Sequence, residues 1–112
     1  MEKVKPSASR FREVVNVVER FANIALDVDA VPLEVVVTHW EDFSCCLMDF
    51  ESDDQKVKAL DAMVGVGARL EIDDELKIFF RVPLSGMKGL FFIFLFDETD
   101  AVEIFKKVTG RE

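Results

Sequence analysis

The stretch from Gly89 to Phe96, GLFFIFLF, constrains the fold most. A glycine is followed by seven apolar residues in a row, four of them Phe. Such a run cannot face water, and it is far shorter than the roughly 20 apolar residues that span a membrane. Turn chemistry before it (Ser85 to Gly89) and Asp97 and Glu98 after it bound it at strand length. It is therefore expected to be a β-strand covered on both faces, or covered on one and pressed against a partner on the other. With 112 residues there is room for one domain with a real core.

Composition narrows the function. Eleven Phe, one Trp and no Tyr place rings without polar handles in a core or a dry interface. A formal charge of −8 leaves no basic stripe for phosphate backbones, so nucleic-acid binding is not expected. Cys45 and Cys46 are adjacent, a poor geometry for a disulfide, and reduced thiols in a cytoplasmic protein are expected. The N-terminus lacks an apolar signal core, and no membrane role is expected.

Residues 1–8 are expected to form a flexible leader and residues 9–112 a single α+β domain. From Arg10 to Asp27 the apolar residues Phe11, Val14, Val15, Val18, Phe21, Ala22 and Ala25 follow helical spacing, with Ser7 or Ser9 as cap. Leu33 to Thr38 and Phe43 to Phe50 are β-rich, and His39 to Asp42 is either a turn between two strands or a bulge in one. Ser52 to Gln55 is a capping box that starts a short helix ending near Gly65. Ala68 to Val82 alternates around Asp73-Asp74-Glu75, as a hairpin does. A last helix runs from Asp97 or Thr99 to about Val108, with Lys106 and Lys107 in its final turn and Gly110 as its stop. The order α-β-(β)-α-β-β-β-α implies an antiparallel sheet of four to five strands, with the N- and C-terminal helices packed on it and the middle helix over an edge.

Most candidate chemistry is thin. His39 is the only histidine and lacks a spacing-related nucleophile, so a structural or surface role is expected. Asp49, Glu51, Asp53 and Asp54 resemble the start of a calcium loop, but Asp54 and Leu60 stand where its Gly and Glu belong. No metal site is expected. Lys88 precedes Gly89 and a strand, not a helix, which favours a hairpin turn over a P-loop. Glu13 and Asn16 stand out, because three residues apart they project from one face of the first helix, a turn after Ser9. An amide can orient a water and a carboxylate can anchor a cation, which is the positioning that phosphoryl transfer needs.

Ser9-x-x-x-Glu13-x-x-Asn16 resembles the motif of the CheC/CheX-type chemotaxis phosphatases. The C-terminal unit is similar to that family's closing unit: a strand, the turn Leu84 to Gly89, a second strand, then a helix ending at Thr109-Gly110. The resemblance implies a signal-transduction protein that binds a phosphorylated CheY-like response regulator and dephosphorylates it, or binds it without hydrolysis. Glu13 and Asn16 would be catalytic, with Glu13 contacting the regulator and Asn16 positioning water. Ser9 and Arg20 would touch the partner, although the family carries a small residue where Arg20 stands. No cofactor of its own is implied, since any Mg²⁺ would belong to the regulator. Small acidic α/β dimers with a leading helix also resemble type III secretion chaperones. The alternative is therefore a non-catalytic homodimeric interaction domain, and homodimerisation is expected in either case.

Overall fold

A computed structural model describes residues 2–110. Three helices and five strands follow in the order α1 (Ala8–Asp27), β1 (Glu34–His39), β2 (Phe43–Asp49), α2 (Asp53–Gly65), β3 (Glu71–Ile72), β4 (Ile78–Leu84), β5 (Met87–Phe94), α3 (Glu98–Thr109). The class is α+β, as the periodicities imply. Trp40 to Asp42 form a turn that follows His39, the last residue of β1: β1 and β2 are separate strands that pair antiparallel, from Glu34 opposite Asp49 to His39 opposite Ser44.

The sheet order is β1-β2-β5-β4-β3, so the Phe-rich strand is central. The sheet is mixed, which corrects the expected antiparallel one. β2 and β5 run parallel, with Phe43 opposite Gly89 and Leu47 opposite Ile93. The cause is direction counting. Hairpin turns reverse β1 into β2, β3 into β4 and β4 into β5, but α2 carries the chain back so that β3 starts in the sense of β2. Two reversals later β5 has that sense again. The middle helix also departs from expectation. It contacts both α1 and α3 and so lies between them in the helical layer. Its Ala59, Leu60 and Met63 are buried.

One sheet face is dry. Ser44, Cys46 and Met48 of β2, Ile78, Phe80 and Leu84 of β4, and Leu90, Phe92 and Phe94 of β5 are buried against the helices. Phe21 of α1 meets Phe80 and Phe92 with ring centroids 5.0 and 4.9 Å away, and those two stack at 4.8 Å. Such ring pairs add about 0.5–1.5 kcal/mol beyond burial. They pin α1, rich in weak helix-forming valines, to the middle of the sheet. The other face is open, so β5 is covered on one side only. Phe43, Cys45, Leu47, Phe79, Phe91 and Ile93 are half-buried there. Phe91 meets Phe43 edge-on at 5.7 Å and Phe79 at 6.1 Å.

Gly89 is demanded by the sheet. Its φ is +136°, and a Cβ there would lie 2.6 Å from the Val82 carbonyl oxygen. Pro83 sits at a register shift between Val82 and Leu84, where a missing N–H costs no ladder bond. No helix among the described residues is long and apolar enough to cross a membrane.

Candidate functional site at the start of the first helix

The Ser7 side chain, not that of Ser9, caps α1, accepting from the Arg10 amide at 3.2 Å. That cap sets the phase of the helix. Val14 and Phe21 point into the core, and Ser9, Glu13 and Asn16 point toward the β4–β5 turn. These three line one polar groove of about 630 Å³, together with Ser7, Arg10, Arg12, Glu41, Ser85, Gly86 and Met87. The groove is open to solvent, and Asn16 is exposed at its side. Glu13 accepts from the Ser85 amide and hydroxyl, both at 3.4 Å. Contacts this long are weak, so its carboxylate can change partners. Arg20 lies apart from the groove. Its guanidinium sits 4.8 Å from the centre of the Phe21 ring.

Arg10 was silent in the sequence and fixes the groove's other wall. Its Nη2 donates to the Trp40 carbonyl at 2.6 Å, to the Phe43 carbonyl, and to Ser44 Oγ at 2.9 Å. Its Nη1 donates to the Glu41 carbonyl at 3.2 Å. One guanidinium thereby satisfies most of the β1–β2 turn and ties it to α1. No local pattern flags such a clamp, because its partners are backbone carbonyls about thirty residues away.

His39 belongs to the same knot. Its Nδ1 lies 2.9 Å from Ser44 Oγ, and its ring centre is 6.0 Å from that of Phe11. Burial, then the Arg10 charge, lower its pKa below the ordinary value of 6.5. A neutral ring that accepts the Ser44 proton fits this setting. The hydroxyl paired with it, that of Ser44, is fully buried and also accepts from Arg10, so the pair is structural. Cys46 is buried, which pushes its thiol to about 12, and burial raises Cys45 as well. Neither offers a thiolate near neutral pH.

Asp53, Asp97 and Asp100 bring carboxylate oxygens within 4.8 Å of one another. Lys56 Nζ lies 3.5 Å from Asp53 and 3.7 Å from Asp49, and it donates to the Leu95 carbonyl at 2.7 Å. The three acids stand at the starts of α2 and α3, where Lys56 already supplies a cation beside Asp53. Compared with protein-family models, with curated proteins and with solved structures, the chain matches none.

Proposed function

We propose that this chain is a signal-transduction domain that docks its α1 groove on a phosphorylated CheY-like response regulator and promotes hydrolysis of the aspartyl phosphate. The supporting observation is that Ser9, Glu13 and Asn16 line one open polar groove. Glu13 exchanges its weak contacts with Ser85 for a cation on the regulator. The exposed Asn16 amide holds a water against the phosphorus. The water oxygen attacks, the bond between phosphorus and the aspartyl oxygen breaks, and inorganic phosphate leaves a free carboxylate. The phosphoryl group and any Mg²⁺ belong to the partner, so this chain supplies position alone. Arg20, turned onto Phe21, drops out of the contact set. The setting is cytoplasmic, where Cys45 and Cys46 stay reduced.

The test is the decay of a purified phospho-receiver, phosphorylated with a small-molecule donor. Wild-type protein should speed decay at least tenfold. Asn16→Ala should remove the acceleration while the circular dichroism spectrum stays unchanged. Decay unaffected by wild-type protein rejects hydrolysis.

A second function is favoured by the open sheet face with Phe43, Phe79, Phe91 and Ile93. There the chain is a non-catalytic homodimeric interaction domain, an adaptor or one similar to type III secretion chaperones. Phe79→Glu would then abolish partner capture, and Asn16→Ala would leave it intact.

A further inference from the structure

The exposed apolar residues are unevenly spread. Of the large ones, Phe11, Val15, Val31, Leu33, Val35 and Val36 belong to α1, to β1 and to the segment before β1; Val35 shares the helical face with Met48, and Val36 turns to the other face with Leu47. Phe11 is 51% exposed and Leu33 is 68% exposed. Phe11, Val14, Val15, Val18, Val35 and Val37, with Glu19, line a mostly apolar groove of about 350 Å³ between α1 and the outer edge of β1. Together the six exposed residues show on the order of 500 Å² to water across both faces of the β1 edge, in the range of the largest apolar patch on a typical monomer. A standard interface buries about 800 Å² per partner, to which these side chains and the paired β1 backbone would both contribute.

β1 is an edge strand, and its free hydrogen-bonding groups can be phased. The Trp40 amide donates to the Phe43 carbonyl, so the backbone of residue 40, and by alternation that of 38, 36 and 34, turns toward β2. Val35, Val37 and His39 therefore turn theirs outward. The Val4 amide confirms this, since it donates to the His39 carbonyl from outside at 3.0 Å. Among the described residues Val35 and Val37 have no such outer partner. The edge also carries little charge. Leu33 to Trp40 contains one formal charge, Glu34, in a chain of net −8.

We infer that β1 pairs antiparallel with β1 of a second copy, joining two sheets into one of ten strands. The register follows from the free groups. With Val36 opposite its own counterpart, Val35 pairs with Val37 of the other copy on both sides of the two-fold axis, giving four backbone hydrogen bonds. The Val4–His39 contact stays in place. Glu34 then faces Thr38, not another Glu34. Centring on Val37 would require the His39 carbonyl that Val4 already holds. On the helical side Phe11, Val15, Val35 and Val37 of the two copies close over each other. Two strongly acidic chains thus meet along a strand that carries a single formal charge, Glu34. The pairing is independent of what the α1 groove binds, and it leaves that groove open.

Sedimentation velocity from micromolar to near-millimolar concentration tests this. Wild-type protein should approach twice the chain mass of 12.8 kDa. Val35→Lys puts a charge on the edge, and Val35→Pro removes an outward N–H that the protomer's own ladder does not use. Each should weaken dimerisation at least tenfold with an unchanged circular dichroism spectrum. A wild-type protein that stays monomeric overturns the inference, including the case in which the edge serves a strand from another protein. So does a dimer that survives both folded variants, or one that Phe79→Glu abolishes and Val35→Lys spares.

Discussion

Gly89 shows how much one residue can carry. The strand must pass within a Cβ's breadth of the Val82 carbonyl, at a φ that side chains avoid. Gly89→Ala should destabilise the fold by at least about 2 kcal/mol, through backbone strain and the clash together. Urea unfolding measures it, and a loss under about 0.5 kcal/mol would contradict the geometry. His39 makes a prediction in pH. Its folded pKa lies below 6.5, so the unfolded chain binds the proton first as pH falls. Stability should be full above about pH 6.5 and decline as pH drops below it. Carboxylates titrate mostly below about pH 5, so this lone histidine should dominate between the two. Protonation also reverses the Ser44 hydrogen bond, taking away the acceptor of that buried hydroxyl's proton, and places a cation beside Arg10. Denaturation midpoints at several pH values should show the slope in the wild type and not in His39→Gln.

At the scale of elements, legibility followed the range of the interactions. Helices came through because caps and apolar spacing are local. Ser52 accepts from the Gln55 amide, one of the two bonds of a capping box, and Gly110 ends α3 at a φ of +70°. The joint placement of Ser9, Glu13 and Asn16 was legible for the same reason, being one helix face. Strand pairing was not. The hairpin at Asp73 was visible because Asp73 satisfies the amides of Glu75 and Lys77 within its own turn. The β2–β5 pairing joins residues more than forty apart, and nothing local in either strand states its direction. The groove's far wall was hidden likewise, because Ser85 and Glu41 reach Glu13 and Arg10 only through the assembled sheet.

For the whole molecule, the parallel β2–β5 ladder is a join between two runs of sequence. Before it lie α1, β1, β2 and α2, and after it β3, β4, β5 and α3. The exposed Val66-Gly67 link connects them. Each run holds its own antiparallel hairpin, and the central ladder and the Phe21–Phe80–Phe92 cluster bring them together. The molecule is therefore a natural candidate for fragment complementation. A chain cut after Gly67 should give two pieces that are each poorly ordered alone and regain the circular dichroism of the intact protein on mixing. Failure of the mixture to recover would mean that the link does more than connect. A severable scaffold would let reassembly of the central seam report on whether two proteins fused to the pieces have met.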